Sequence, residues 1–534
     1  MGQGMSNPLL VAGGYGAPPI AAAAPTARVR LRADVLIPLL LSLLPVLLYL
    51  PFVNDPLDAD AGVYSTVARG ILDGQIPYRD LFDHKQPLLY IWYLLSFLLF
   101  GEEAASLRVL ILFHLAATTV MVYWCGCLLL GSRIRGYLAA AAFGLTPGMA
   151  YATDFGDARF LMLTPLVAGL LAYVVGYRTG RAWWYVASGA LSGLAVITVA
   201  VAALNLLALA VFTLYMGMAG RTRYLRNVGA LGLGAGVVFV LAVLPFALTS
   251  TLGDFVYANV TFNLQYPTSP TFSAGTVLGL LWLFLIVAGP LVFLSGLGTW
   301  LFLRESPLEG RLLIGWVGAS LAAFFLTGKM AEHYLIGLFP AMGLLAAVAL
   351  DEARAKWHSP RVRAWAMLVL PLALAATVVN VQPYLHLRGE TWTGQRYSEG
   401  QMRRMEILPE VAHYVARRTS PEEAVLYLGR EPGPFYFYAD RRPASRSILP
   451  CQSVSPGLLE EMLAALREGK PTYVLDGLNP AAGCDDRKVR PLLNVLLRRY
   501  YEPEGRLYFL DVYRLRPSAV GTGPHELEAW SEAR

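Results

Sequence analysis

The sequence predicts a polytopic α-helical membrane protein of about eleven transmembrane helices, followed by a C-terminal external α/β domain. The first observation is composition, because 56% of the 534 residues are hydrophobic, only 15% are charged and the mean hydropathy is +0.49. The second is a series of apolar runs with the length that crosses a bilayer core as a helix, about 17 to 25 residues. The third is a shift to polar composition from about residue 383.

The apolar runs and the basic loops between them predict the topology. The spans are predicted at about 34–53, 107–130, 136–152, 159–177, 183–199, 201–219, 227–249, 275–303, 311–328, 334–350 and 364–382. Lys and Arg concentrate in cytoplasmic loops, and eleven spans put every major basic cluster on one side, together with the N-terminus. The net charge of +6 follows from these loops, so nucleic-acid binding is excluded.

These boundaries divide the chain into three parts. Residues 1–33 are rich in Gly, Pro and Ala and are predicted to form a disordered cytoplasmic N-terminus. Residues 34–382 form the transmembrane part. Residues 383–534 form the external domain, in which AVLYLG and TYVLDG resemble strands and LLEEMLAALREG resembles a helix.

The apolar segment 87–100 is predicted to be an interfacial helix. Its 14 residues are few for a span. Counting it as a span would also move Arg133 and every later basic cluster to the outside. Segments rich in Tyr and Trp are typical of the membrane interface, so we expect 87–100 to lie there, within an external loop 54–106.

The start of that loop is unusually polar for a chain of this composition. Asp58, Asp60 and Tyr64 fall near the start of a segment with helical spacing. Its apolar positions are Val63, Val67, Ile71 and Leu72. We expect an amphipathic helix lying on the bilayer, with aspartates favoured at its N-terminus by the helix dipole. Asp58 or Asp60 could therefore serve only as a helix cap.

A second polar cluster contains Asp80, Asp83, His84 and Lys85, directly before the 87–100 segment. One interpretation is a solvated turn with a snorkelling lysine. The other is a phosphate site, because an interfacial lysine is well placed to meet an anionic lipid head group and a neighbouring aspartate can act as a general base.

The order of several motifs resembles the GT-C superfamily of membrane glycosyltransferases, specifically glycosyltransferase family 39 (dolichyl-phosphate-mannose–protein mannosyltransferase and aminoarabinose transferase-like). The resemblance covers residues 34–382. Its landmarks are Asp60 with Tyr64 four residues later, IPYRDLFDHKQPLLYIW, SLRVLILF, LLLGSRIRGYLAAAAFGLTP and HYLIGLFPAMGLL. GREPGPFYFYADRRPASR resembles the external, periplasmic domain of bacterial members, which implies an inner (plasma) membrane protein.

The resemblance implies an inverting transfer of a sugar from a polyprenyl-phosphate carrier to an acceptor at the outer membrane face. The acceptor could be protein, glycolipid or glycan. The family's catalytic aspartate maps onto Asp60, and Lys85 would hold the donor phosphate. Substrate-binding roles are further expected for Asp58, Tyr64, His84, Lys329, His333 and Tyr334. His333 and Lys329 could instead be an interfacial residue and a snorkelling charge.

A second acidic residue is expected at the start of the span in FGDARFLMLTPL. Asp157 is assigned this catalytic role, although it could also cap the helix, and Arg159 stands close to where an acid is expected. Some family members place a divalent cation near these acids and others work without one. The sequence shows no dedicated metal motif, so both alternatives stay open.

Two other classes of function compete with a transferase. A lipid-linked sugar transporter or flippase would favour ionisable residues within spans, and the span centres here are nearly free of charge. A non-catalytic assembly protein with this fold is kept open by Arg159. The sequence names neither the sugar nor the acceptor.

Overall fold

The computed structural model describes residues 31–54, 56–145, 158–218, 223–265, 274–326, 332–364, 367, 399–448, 456–477 and 486–517. Up to residue 364 the described segments are helical, and a small sheet with helices follows. The predicted fold class is thus confirmed as mostly helical with a C-terminal sheet.

The helices of the first part match most predicted spans within a few residues. They are α1 (Leu31–Tyr49), α2 (Ala59–Leu72), α3 (Pro87–Phe100), α4 (Ala104–Leu129), α5 (Arg133–Leu145), α6 (Ala158–Thr179), α7 (Ala182–Val196), α8 (Ala203–Met218), α9 (Tyr224–Leu248), α10 (Leu252–Val256), α11 (Phe262–Gln265), α12 (Ala274–Glu305), α13 (Pro307–Leu326) and α14 (Phe339–Ala355). A π-helical turn, Tyr257–Thr261, joins α10 to α11.

Among the described residues, six helices are long and apolar enough to cross a membrane. They are Ala104–Leu129, Ala158–Thr179, Ala200–Met218, Tyr224–Leu248, Pro307–Leu326 and Tyr334–Ala355. Asp34–Tyr49 and Pro87–Phe100 are shorter apolar helices. The helix expected at 364–382 lies almost wholly outside the described residues.

Two predicted spans differ in detail from the structure. The continuous apolar run 183–219 breaks into α7 and α8 at Ile197–Val199, as the two-span interpretation requires. The span expected at 334–350 begins as a 3-10 helix, Glu332–Leu338, before α14 starts. Pro340 follows at the first turn of α14, where its missing N–H costs no helical hydrogen bond.

Helix α2 forms as its periodicity predicts, but its surroundings are not a lipid surface. All residues from Ala61 to Ala68 are buried in protein, whereas Leu72 is exposed. The cause is a helix of the C-terminal domain, α16 (Pro432–Ala439), which packs against α2. A Cβ atom at Gly62 would lie 2.1 Å from Cδ of Pro434, so only glycine permits this approach. The prediction of a helix spread on the bilayer is therefore wrong.

The C-terminal domain contains a four-stranded sheet in the order β1-β2-β4-β3. The strands are β1 (Ala424–Leu428), β2 (Pro471–Asp476), β3 (Tyr501–Leu507) and β4 (Leu510–Leu515). Strands β1 and β2 are parallel and the other pairs are antiparallel. The remaining helices are α15 (Glu399–Ala416), α17 (Pro456–Arg467) and α18 (Asp486–Tyr500). Both predicted strands and the predicted helix at 458–469 are confirmed, whereas the β3–β4 hairpin was not predicted.

The segment 442–447 attaches the polar loop to this sheet. On one side Val425 of β1 donates its N–H to the carbonyl of Arg442 and accepts from the N–H of Ala444. On the other side the Phe82 N–H donates to the carbonyl of Arg446 at 2.7 Å. The free edge of β1 is thereby covered, and the loop that contains Asp83, His84 and Lys85 is fixed to the domain.

Candidate active site

Asp60 lies in the first turn of α2 with its side chain exposed. The Tyr64 hydroxyl, one turn later, donates to Oδ2 of Asp60 at 3.2 Å. The Tyr64 ring is buried and meets the ring of Tyr93 edge to face at 5.5 Å. The buried phenol of Tyr64 therefore orients a carboxylate that remains exposed, as a general base requires.

Asp58 has the structural role that its position allowed. It is the N-cap of α2, and its Oδ1 accepts a hydrogen bond from the N–H of Ala61 at 2.8 Å. Because the carboxylate already satisfies the helix terminus, it stabilises the helix that holds Asp60.

Lys85 is half-buried and lies within the electric field of Asp60. Burial lowers the pKa of Lys85, but the charges of Asp60 and Asp83 outweigh burial and hold the pKa above its ordinary value. A hydrogen bond fixes the backbone of Lys85, because its carbonyl accepts from the Tyr78 hydroxyl at 2.8 Å. The result is a permanently charged ammonium at a defined position beside Asp60.

Asp83 and His84, which directly precede this lysine, form a buried pair. Asp83 is 1% exposed, its Oδ2 accepts from the Tyr90 hydroxyl at 2.9 Å, and its Oδ1 lies 3.3 Å from Nδ1 of His84. Burial raises the pKa of Asp83, but the hydrogen bond and charge of His84, together with Lys85, outweigh it and lower the pKa to about 2. The His84 ring packs on Phe262. Nδ1 of His84 thus faces Asp83, and the substrate-binding role of His84 stays a prediction.

Arg159, at the start of α6, enters the same site. Its guanidinium carbon lies 3.4 Å from the centroid of the Tyr334 ring, which is a cation–π contact. Both side chains act electrostatically on Lys85, so the structure brings Asp60, Lys85, Arg159 and Tyr334 together. Asp157, Lys329 and the side chain of His333 lie outside the described residues.

Two features of the site escaped sequence reasoning. Tyr78 has a φ of 72°, which bulky residues rarely adopt, and this bend turns the loop back so that Tyr78 reaches Lys85. Only the preceding Pro77 signals a turn there. Arg446 of the C-terminal domain contacts the same loop, and nothing in its local sequence indicates this contact.

No group of three or more His, Cys, Asp or Glu side chains in the described ranges is placed to hold a metal ion. A divalent cation such as Mg²⁺ prefers carboxylate ligands. Of the nearby carboxylates, Asp60 accepts a hydrogen bond from Tyr64 and Asp83 is paired with His84.

An apolar groove of about 440 Å³ is lined by Pro87 and Leu88, which follow Lys85 closely in sequence. Pro87 and Leu88 of α3 form one wall, Leu194 of α7 and Leu241 of α9 form another, and Ile76 closes one end. Its lining is almost entirely apolar, so it suits a hydrocarbon chain.

Comparison with known proteins gives related sequences and a shared fold. No protein-family model matches the chain. The chain is 27% identical over 337 residues to the undecaprenyl phosphate-alpha-4-amino-4-deoxy-L-arabinose arabinosyl transferases of Yersinia pestis and Yersinia pseudotuberculosis. The match spans 59% of this chain and only 59% of the length of those relatives.

Solved structures extend the likeness of fold over most of the chain. The crystal structure of ArnT from Cupriavidus metallidurans bound to undecaprenyl phosphate superposes with a TM-score of 0.56 and 17% identity, covering 91% of this chain and 99% of ArnT. The oligosaccharyltransferase AglB from Archaeoglobus fulgidus, in complex with an inhibitory peptide and a dolichol-phosphate, superposes with a TM-score of 0.52 and 13% identity, covering 92% of this chain and 75% of AglB. These likenesses show that the chain shares its fold with ArnT and AglB.

Proposed function

From this likeness to the GT-C superfamily of membrane glycosyltransferases, we propose that the chain is an inverting glycosyltransferase. It moves a sugar from a polyprenyl-phosphate carrier to an acceptor hydroxyl at the outer membrane face. The observation that carries the proposal is the interaction of the Lys85 ammonium with an exposed carboxylate, Asp60, and with a second cation, Arg159.

The proposed chemistry is a single displacement. Asp60, oriented by Tyr64, accepts the proton of the acceptor hydroxyl as its oxygen bonds to the anomeric carbon. The bond between that carbon and the phosphate oxygen breaks, and the polyprenyl phosphate leaves with the electron pair. Lys85 and Arg159 stabilise the negative charge that grows on the phosphate, and one displacement inverts the anomeric centre.

The described packing supports the predicted orientation. Arg69 of α2 donates to the carbonyl of Phe437, so the loop and the C-terminal domain share one membrane face. Arg135, in the first turn of α5, binds Glu305 at 2.7 Å and Asp351 at 3.0 Å, which brings three predicted cytoplasmic segments together. We propose eleven spans, a cytoplasmic N-terminus, a transmembrane part 34–382 and a periplasmic domain 383–534.

A transfer assay tests the proposal. Protein in nanodiscs is mixed with radiolabelled undecaprenyl-phosphate sugars and a membrane extract. We expect label to move from lipid to an acceptor. Asp60→Asn should lose roughly 10²- to 10⁴-fold in rate because the base is gone. Lys85→Met should lose about 10²-fold or more because the phosphate charge is unpaired.

Asp73→Asn is the matched control, because Asp73 is an exposed aspartate at the opposite end of α2. It should transfer like the wild type. Binding of the lipid without transfer, unchanged in Asp60→Asn, would contradict the proposal and favour a carrier-binding or transport role.

A further inference from the structure

One arginine of the C-terminal domain joins three separate parts of the chain. Nε and Nη2 of Arg446 bind the Glu461 carboxylate of α17 at 2.9 and 2.8 Å, a two-pronged contact within the domain. Its third nitrogen, Nη1, donates to Oδ1 of Asp254 in α10 at 3.0 Å and to the carbonyl of Tyr78 at 3.4 Å. The planar fork of a guanidinium allows this division, because one edge is held while the other reaches across.

The backbone of the same residue holds the loop at a second point. The Arg446 carbonyl accepts from the N–H of Phe82 at 2.7 Å, and Phe82 pairs with Ser447 as in a parallel sheet. The Arg446 guanidinium also lies 5.8 Å from the centroid of the Phe82 ring. Arg446 therefore contacts the loop at both Tyr78 and Phe82.

These two points determine where Lys85 can lie. Lys85 follows Phe82 by three residues, and its carbonyl is bound by the Tyr78 hydroxyl. The Tyr78 side chain is completely buried, with its ring against Phe255 of α10 at 5.9 Å. A shift of Tyr78 or Phe82 thus moves Lys85 relative to Asp60, which belongs to helix α2.

We infer that Arg446 is a positioning residue for the proposed active site, acting through Tyr78, Phe82 and Asp254 to hold the Lys85 ammonium at the place of the donor phosphate. The inference rests on the proposed function. The sheet of the C-terminal domain is then part of the catalytic framework, because its segment 442–447 fixes the lysine loop. Asp254 contributes to this positioning, since its carboxylate, in the predicted transmembrane part of the chain, binds Nη1 of Arg446.

Binding of undecaprenyl phosphate to the full-length protein in nanodiscs tests the inference. Arg446→Met should raise the dissociation constant roughly 10- to 100-fold, because a displacement of about 1 Å at a site has effects of that size. Arg446→Lys should lose less, because it retains one charge. Asp254→Asn should also weaken binding. The double variant Arg446→Met/Asp254→Asn should bind no more weakly than Arg446→Met alone, because each substitution removes the same contact between Arg446 and Asp254.

Arg441→Met is the matched control for domain stability. Arg441 binds the carbonyls of Ala416 and Thr419 within the domain. Its loss should lower the melting temperature and leave the dissociation constant unchanged. If Arg446→Met does not fold, Asp254→Asn and Arg446→Lys carry the test.

The outcomes separate the two proposals. If Arg446→Met binds the lipid with wild-type affinity, the positioning role is overturned, although the proposed function still stands. If Arg446→Met is not expressed, wild-type affinity in both Asp254→Asn and Arg446→Lys has the same meaning. Absence of binding by the wild type itself, or unchanged binding by Lys85→Met, would overturn the proposed function and this inference with it.

Discussion

Two aspartates of the same loop have opposite environments. Asp60 is exposed and has a tyrosine hydroxyl as its neighbour, whereas Asp83 is buried against His84 and Tyr90. A buried carboxylate stays charged only when hydrogen bonds and nearby cations compensate for lost water. Asp83 therefore stabilises the loop, and Asp60 is the carboxylate that the proposed function uses as a base.

The buried carboxylate predicts an acid-sensitive contribution to stability. The folded pKa of Asp83 is about 2, below the ordinary 3.8. Its contribution is therefore fully present above about pH 4 and is lost as the pH falls through about 2, and the difference corresponds to roughly 2 kcal/mol. Asp83→Asn should lower the melting temperature at pH 6 and flatten its decline between pH 4 and pH 2.

Thermal unfolding in detergent at several pH values measures this effect. Asp73→Asn, which removes an exposed carboxylate, should follow the wild-type curve throughout. An Asp83→Asn curve parallel to the wild type across the acid range would refute the role of the pair.

Local spacing predicted part of the site and the fold of distant segments determined the rest. Asp60 and Tyr64 are one helical turn apart, so their hydrogen bond follows from helix geometry alone. The position of Lys85 beside Asp60 depends on the positive φ of Tyr78 and on Arg446, which no local pattern specifies. The role of Asp58, by contrast, follows from local sequence. Its place before the helix allowed an N-cap, and the structure shows that it is one.

At the scale of elements, two glycines permit the close contact between α2 and α16. A Cβ at Gly62 would lie 2.2 Å from the backbone nitrogen of Pro434, and one at Gly433 would lie 2.2 Å from that of Val63. The Thr66 hydroxyl, moreover, lies 3.0 Å from the carbonyl of Gly433 and can donate to it. Helical periodicity correctly located α2, but its partner is far along the chain, so periodicity could not show that protein rather than lipid covers it.

Gly62→Ala should therefore separate the two helices. The added methyl meets a proline ring and backbone rather than a flexible side chain, so we expect a loss of about 3 kcal/mol, at the upper end for overpacking. The melting temperature should fall, and sugar transfer should fall with it because Asp60 is in the first turn of α2.

Gly229→Ala is the control for this substitution. Gly229 lies in a helix too, but no atom lies within 4 Å of the Cβ that would be added. It should leave stability unchanged or raise it slightly, because alanine favours helices. Equal melting temperatures for Gly62→Ala and the wild type would show that the helices can separate without cost.

At the scale of the whole molecule, charges mark two opposite ends. The loop and the C-terminal domain form one end, and the ion pairs of Arg135 with Glu305 and Asp351 form the other. The orientation of these ends stays a prediction from the basic loops, because Lys and Arg concentrate on the cytoplasmic side. The sequence did not predict that the C-terminal domain touches the first loop, since no pattern connects segments so distant in sequence.

Labelling with a membrane-impermeant maleimide tests the orientation. In a chain whose four native cysteines are replaced, Asp73→Cys and Val495→Cys should react in intact cells. Trp357→Cys, exposed at the opposite end, should react only after permeabilisation, because the bilayer excludes the charged reagent. Reaction of Trp357→Cys in intact cells, or protection of Val495→Cys, would contradict the proposed topology.

The packing of Gly433 on α2 has a consequence for biosynthesis. Thr66 leaves the ribosome 367 residues before its partner, Gly433. At a synthesis rate of about 5 to 20 residues per second, α2 waits roughly 20 to 70 s for the helix that covers it. During that interval α2 and the lysine loop lack their contacts with α16 and Arg446, so we expect the proposed transfer to be absent from a chain still being made. The synthesis of the sheet domain is therefore expected to precede any transfer.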